Sequence, residues 1–600
     1  MQDKALTVWP MDGLTRVFPR DPAPRGAARL AAAGWQLKAA RGEYVSFQLG
    51  VRTQQALDSL AVEVIPARKG TPGLPSSAFR ARWVGLVPVP PERFDVEAAE
   101  RPDYVPGWYP DPLQDGPPWQ LRAKDGPAPC VLASAVHITL EVSRRTAAGL
   151  YRNRVVLKRD GKPIRRIPLS VEVWPFSIPA RPTFHVTNWL QLDCITKWHR
   201  CPAWSPRHWR LMERYAAEMA AHRQDVIATP TLTGNFHNSD PMTLVATTRR
   251  KGGNYTFDFR KLERWVELFT KHRFRFFEMW HLAAQATGKT LPPLRLYDEV
   301  KGRDVWYEGM STDSARYRKL VGSFLDALTV WLARRKLTDR FLVHVFDEPH
   351  RAAWPRYAKL EAFFRKHAPG IRHLDAISTS DLITEFGADI DFPVPLTRYL
   401  ADDVYYQERA KAGRRPVWWY TCCGPAGRFA NRFVQSPLLN TRMLHWQSFA
   451  YAISGYLHWG YNFWHRTRQN ASGWPGINTY ADHQLLNPYR EHPAHWAVGD
   501  TCIVYPPPKW WQDLGPVSSL RYEAMREGLQ DYELLRMLQR AVEPTKAQPG
   551  SRTARARAAG RRLLKAVRGP IAGSLTEYER NPKRLLRARE QAGDCIAALS

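Results

Sequence analysis

Long apolar runs are missing from this sequence. No stretch of about 18 uncharged apolar residues occurs, so no segment reads as a membrane span. The opening MQDKALTVWP also lacks the apolar core of a secretory signal. The expectation is a soluble chain, cytoplasmic as it stands and periplasmic or secreted if a leader has been removed. Cysteine is scarce, at seven in 600 residues. No CxxC pair occurs, and the adjacent Cys422 and Cys423 have the wrong spacing for zinc. That excludes a disulfide framework and leaves no metal and no cofactor indicated. Internal repeats are absent as well.

Acidic residues are the minority: the formal net charge is +30. Such an excess invites a polyanion. Residues 551–600 hold twelve Lys or Arg against four Asp or Glu, and the rest of the excess is spread thinly. Neither dense basic runs nor an aromatic-interleaved RNA-binding motif accompanies it, so nucleic acid is not expected as a partner. The charge fits a solvated basic surface, or an anionic glycan as substrate. Tryptophan is what the chain has in plenty. There are 24, several crowded into VWWYTCC and YLHWGYNFWH. Indole faces stack on sugar rings and also fill cores.

At 600 residues and 44% hydrophobic, the chain has material for two or three domains. Residues 1–178 read as short alternating strands such as EYVSFQLGVRT and VHITLEVS, with a DG turn inside RNRVVLKRDGKPIRRIPLSVEVWPF. This predicts an antiparallel β-sandwich. Its Pro-rich segment, VPVPPERFDVEAAERPDYVPGWYPDPLQDGPPW, is expected to lie outside any sheet, because proline lacks the ladder donor, and to pack on a neighbouring domain.

From residue 179 the texture changes to strands alternating with amphipathic helices. Strands are predicted at 185–189, 225–229, 274–279, 341–346, 371–377, 389–395, 417–421 and 455–460, with helices over 206–223, 314–335 and 354–368. The fold class is therefore α/β, a TIM-like (β/α)8 barrel over 179–540 after the sandwich. A basic helical extension over 541–600 follows. Such barrels carry their sites at the C-terminal strand ends.

The strongest local signal is FLVHVFDEPH, a strand running into Asp347, Glu348 and Pro349. Proline denies Glu348 the helical conformation and is expected to hold it extended. Neighbours on a regular strand face opposite ways, so both acids reach one pocket only if the strand breaks. Ordinary retaining glycosidases use carboxyls about 5 Å apart across the sugar. Consecutive acids suit a different chemistry, in which Glu348 protonates the leaving oxygen and Asp347 holds the N–H of a 2-acetamido group whose oxygen attacks the anomeric carbon.

FDEP after the fourth strand, the YPDPL segment, WYTCCGP, GYLHWGYNFW and SLRYEAMREGLQDYELL together resemble glycoside hydrolase family 123. The resemblance implies an exo-acting, retaining β-N-acetylgalactosaminidase with substrate-assisted catalysis. Its catalytic pair would be Asp347 and Glu348, and its partner a glycan ending in N-acetylhexosamine. Further substrate contacts are expected from strand-end positions: Tyr420, which can donate to the acetamido oxygen, Trp459, Asn462, Trp464, His281, Asn188 and Trp189. Arg521, Glu523, Arg526 and Glu527 on the late helix are expected to form an internal salt-bridge network. Two other readings stand beside this one: a glycosidase of different specificity on the same scaffold, and a noncatalytic glycan-binding protein. The sequence assigns no oligomeric state.

Overall fold

The computed structural model describes residues 6–53, 57–68, 70–89, 107–115, 119–121, 132–234, 242–413, 415–464, 498–509, 511–543 and 551–600. Two five-stranded sheets come first. One runs in the order Leu6–Asp12, Tyr44–Thr53, Ala133–Glu141, Phe79–Val89, Gly107–Gln114. The other runs Trp35–Arg41, Lys162–Ser177, Gly149–Arg159, Leu57–Pro66, Trp119–Leu121. Alternate residues of both sheets, among them Phe47, Leu49, Val155 and Leu157, share one apolar core. The DG hairpin is present: Asp160 and Gly161 have φ of 49° and 73°, both in the left-handed region that suits the twist of the flanking strands.

Two expectations are corrected here. The sandwich is not wholly antiparallel, because Lys162–Ser177 pairs parallel with Trp35–Arg41. The ends of the Pro-rich segment do enter a sheet, since Gly107–Gln114 pairs with Phe79–Val89. It is the edge strand, where Pro110 and Pro112 need no donor on the outer side. Residues 90–106 of that segment lie outside the described residues. The edge strand leans on the rest of the protein through Leu113 N–H, which donates to Ser518 O at 2.8 Å.

The barrel strands are β1 (His185–Asn188), β2 (Val226–Thr229), β3 (Phe276–Met279), β4 (Phe341–Val343), β5 (Arg372–Ile377), β6 (Phe392–Pro395), β7 (Trp418–Tyr420) and β8 (Gly455–His458). They pair in parallel all round, and a parallel bridge between Leu396 and Tyr420 joins β6 to β7. All residues of β2, β3 and β8 are buried, as strands covered on both faces must be. Helices α1 (Pro206–Ala221), α2 (Arg260–Lys271), α3 (Ala315–Arg335), α4 (Trp354–His367), α5 (Val404–Ala412) and α6 (Leu438–Ala450) lie between them. Ser205 and Ser314 cap α1 and α3 by accepting from His208 N–H and Tyr317 N–H.

One element went unread in the sequence. The connections after β2 and β3 carry a four-stranded sheet, Tyr255–Asp258, Ala246–Arg249, Leu294–Asp298 and Arg303–Tyr307. These strands are four or five residues long, and their alternation is too brief to separate from loop. Beyond the barrel, α7 (Leu520–Ala541) is buried continuously from Leu520 to Leu535. The basic tail forms α8 (Arg552–Ala566) and α9 (Pro582–Leu599). Helix α9 packs against the sandwich, where Trp174 Nε1 donates to Asp594 at 3.0 Å.

Candidate active site

Strand β4 leaves its ladder after Val343, three residues before the predicted end, and the chain turns as it reaches the acids. Asp347 O accepts from Ala286 N–H at 2.8 Å, and Glu348 N–H donates to Ala376 O of β5 at 3.0 Å. Glu348 is not extended: its φ is 48°. Proline at 349 closes the right-handed region to Glu348, and the chain takes the left-handed one at a cost of about 1–2 kcal/mol. This conformation removes the strand alternation, and the two carboxyls turn the same way. Gln285 Nε2 donates to Asp347 Oδ2 at 3.0 Å and lies 3.4 Å from Glu348 Oε2. Gln285 itself sits on a short loop closed by Ala284 N–H donating to Thr290 O at 2.7 Å.

Asp347 is buried and Glu348 half-buried. Burial, then the adjacent Glu348 charge, push the Asp347 carboxyl well above the usual aspartate range, against the pull of His344. Tyr420, at the end of β7, donates its hydroxyl to Glu348 Oε1. Burial and the Glu348 charge push that hydroxyl well above the ordinary tyrosine value. Tyr420, expected at a substrate contact, thus stands directly on one of the two acids.

Beneath the acids lies a buried ion triplet. His344 Nε2 is 2.6 Å from Glu278 Oε1 of β3, and His344 Nδ1 is 3.1 Å from Asp375 Oδ1 of β5. Burial opposes a charge on His344, but the hydrogen bonds to Asp375 and Glu278 outweigh it and hold the imidazole up at about 10. Trp189 Nε1 donates to Glu278 Oε1 at 2.8 Å, which fixes the indole at the barrel mouth against Trp280. His281 is buried with its ring 4.4 Å from that of His344. Burial and the His344 charge push it well below the usual histidine value.

The remaining sequence candidates divide. Trp459 is half-buried, packs with Cys422 beside Tyr420, and donates Nε1 to Asp500 Oδ2 at 3.0 Å. Asn188, Asn462 and Trp464 are fully buried and serve the framework. Asn188 Oδ1 accepts from Arg432 at 2.6 Å, Asn462 bonds both amide atoms to the backbone of Gln191, and Trp464 Nε1 donates to Val504 O. Their strand-end positions suggested sugar contacts, but side chains that close the turns beneath a rim occupy the same places. The late-helix charges do form a network: Glu523 meets Arg82, Arg526 and His222, and Glu527 meets Arg442.

Sequence reasoning missed Gln285, Glu278, His344, Asp375 and Asp500. Three had a readable signal. FRFFEM, FLVHVF and IRHLDAI each place an acid or a histidine among the apolar residues of a strand that a barrel buries, which demands a partner. Asp500, pushed to about 7 by burial despite Arg432 and Trp459, had none.

Among the described residues, two groups bring metal-ligating atoms within 4.8 Å of one another: the buried His281, His344 and Asp375, and the partly buried Glu218 with the buried His222 and Glu523. In the first, both His344 nitrogens are already spent on carboxylates. In the second, Glu523 is paired with Arg82 and Arg526. Both read as internal ion clusters. Among the described residues, no helix is long and apolar enough to cross a membrane.

The barrel mouth thus presents two convergent acids, a tyrosine on one of them and indoles alongside, an arrangement suited to acid–base work on a sugar. No curated protein matches the chain by sequence. Over its full length the fold is similar to that of a family 123 glycoside hydrolase from Clostridium perfringens, with a TM-score of 0.70 at 13% identity, covering 99% of this chain and 98% of that one. A family 39 glycoside hydrolase from Bacteroides cellulosilyticus overlaps far less, with a TM-score of 0.30 at 9% identity over 82% and 81% of the two chains. The sequence pattern described as "Glycoside hydrolase 123, catalytic domain" matches residues 189–538, more than half of the chain. The chain belongs to glycoside hydrolase family 123.

Proposed function

We propose that this glycoside hydrolase is an exo-acting, configuration-retaining β-N-acetylhexosaminidase, selective for N-acetylgalactosamine, in which the substrate's own acetamide is the nucleophile. The observation that carries the reading is the convergence of Asp347 and Glu348 on one amide, Gln285 Nε2, at 3.0 and 3.4 Å. Consecutive acids turned to one donor suit groups on one side of a sugar, whereas a separate acid and nucleophile flank the scissile bond from two sides. They can serve two adjacent positions on one ring.

Asp347 accepts the acetamido N–H, which raises the electron density on the carbonyl oxygen as that oxygen attacks the anomeric carbon. Glu348 gives its proton to the departing glycosidic oxygen. In the second half, water attacks the same carbon, Glu348 takes its proton, and the acetamide is released with the original configuration. The mechanism needs one proton on the acid pair, resident on Glu348 when the bond breaks. A buried pair whose members repel each other's charge holds a single proton readily. Tyr420 orients Glu348, and the half-buried indole of Trp459 offers an apolar face to the ring. The basic composition favours an anionic polymer around the terminal sugar.

The test is a panel of aryl β-glycosides differing at C2 and C4. N-Acetyl-β-galactosaminide is expected to react fastest, its C4 epimer more slowly, and the 2-hydroxy galactoside hardly at all. Comparable turnover of the 2-hydroxy compound would remove the neighbouring-group mechanism.

A further inference from the structure

Two thiols follow Tyr420 at the rim of β7. Cys422 and Cys423 are both free and half-buried, with their Sγ atoms 3.8 Å apart. The turn around them is held from inside: Cys422 N–H donates to Gly424 O at 2.8 Å, and Asn431 Nδ2 donates to the carbonyls of Cys422 and Pro425 at 3.1 and 2.9 Å. Cys422, like Trp459, packs on the barrel-interior cluster that contains Tyr420. The hydrolysis proposed above uses neither thiol.

Adjacent Cα atoms are about 3.8 Å apart, short of the roughly 4.4–6.8 Å span of ordinary disulfides. Joining neighbours therefore makes a strained eight-membered ring. Strain makes a disulfide easier to reduce, so such a ring suits reversible chemistry and not permanent cross-linking. Its place matters too. Tyr420, whose hydroxyl bonds Glu348, is two residues before Cys422, and drawing the sulfurs together must move the peptide between them and the chain leading back to β7.

We propose that Cys422 and Cys423 are a reversible modification site for small-molecule disulfides, and that closing their ring slows hydrolysis by drawing Tyr420 away from Glu348. The Cys423 thiolate attacks one sulfur of the reagent, forming a mixed disulfide and releasing one thiolate. Cys422 gives its proton to solvent and attacks the Cys423 sulfur, expelling the second thiolate. Two cysteine thiols are oxidised to one disulfide, and the reagent is reduced to two thiols. The hydrogen bond with Cys423, and then burial, hold the Cys422 thiol well above the ordinary cysteine range, which keeps it protonated and leaves the opening attack to its neighbour. Ring closure stands on the thiol geometry alone, and its effect on rate rests on the functional reading above.

The experiment takes the full-length, reduced protein, treats it with oxidised glutathione, and follows peptide mass and turnover of aryl N-acetyl-β-galactosaminide together. The expected result is loss of two hydrogens from the peptide carrying both cysteines and a fall in kcat of about tenfold, the scale of one hydrogen bond to a charged group, with dithiothreitol reversing both. Cys423→Ser should keep its turnover and respond in neither readout. A peptide that retains both thiols, or holds only a glutathione adduct, overturns the site. A closed ring with unchanged kcat overturns its coupling to Tyr420. A reduced protein without hydrolytic activity counts against the functional reading alone, and the peptide mass still decides the ring.

Discussion

Arg521 Nε and the Asp111 carboxylate meet at 2.9 Å with both side chains wholly buried, although 410 positions separate them in the chain. Arg521 also donates to the carbonyls of Arg432, Gly499 and Cys502. Arg432 in turn holds Asn188 and Gly460 O. One guanidinium on α7 therefore ties the sandwich's edge strand to the turns beneath the barrel rim. Removing Arg521 leaves the buried Asp111 with the Tyr505 hydroxyl at 2.7 Å and Arg16 at 3.8 Å, and losing the close partner of a buried ion pair costs about 3–5 kcal/mol. Arg521→Met is expected to lower unfolding stability by that amount in a denaturant titration, and pairing it with Asp111→Leu should recover part of the loss. Single and double variants of equal stability would mean that the pair bears no net load.

The acid pair should trade stability for activity. The folded Asp347 carboxyl is raised above its unfolded value, chiefly by burial. The folded state therefore binds the proton more tightly than the unfolded one. Its contribution is fully favourable below the unfolded pKa near 3.8 and is lost as pH rises through the folded pKa. Asp347→Asn escapes that loss. It is expected to gain about 1 kcal/mol at neutral pH, a gain that fades on acidification, while turnover of an N-acetyl-β-galactosaminide falls by several orders of magnitude. A variant less stable than the parent at pH 7 would contradict the burial argument.

Much of this architecture could be read in the sequence because its signals are collective. All eight barrel strands lie where runs such as DVIAT and GYLHWG alternate with helical periodicity, since parallel strands buried on both faces must be mainly apolar. FDEP marked the acids, because two charges at a strand exit are costly unless they serve a purpose there. Local geometry was less legible. Proline at 349 excludes one backbone region and does not choose between the remaining two, so the left-handed turn at Glu348 was invisible. Asn188, Asn462 and Trp464 stand at strand ends as Trp459 does. Only three-dimensional packing separates the amides and the indole that close turns from the indole that stays half-exposed.

Gln285 provides a sharper test of the acid pair. Its amide donates to Asp347 and lies within reach of Glu348, so Gln285→Ala removes a hydrogen bond to charge worth about 1.5–3 kcal/mol. The expected outcome is a fall in kcat of tenfold or more with KM little changed, because the lost interaction orients the reacting groups and does not grip the sugar. Gln285→Glu should be worse, since it sets a third carboxylate against the other two, and its deficit should deepen as pH rises. A rise in KM with kcat intact would make Gln285 a substrate-binding residue instead.

His344 is the cation between Glu278 and Asp375. Its folded value of about 10 lies above the ordinary 6.5. The stability it contributes is fully present below pH 6.5 and is lost as pH rises toward 10. The parent protein should therefore unfold more easily at pH 9 than at pH 6. His344→Gln keeps hydrogen-bonding capacity but lacks the charge. It should lose about 3 kcal/mol at pH 6 and show a flatter dependence over that interval, with the difference between the two proteins shrinking as pH increases. Glu278 also holds the buried Trp189 indole at 2.8 Å, so the variant loosens that packing as well. Parallel stability curves from pH 6 to 9 would show His344 to be neutral in the folded protein, and the two carboxylates would then need another source of compensation.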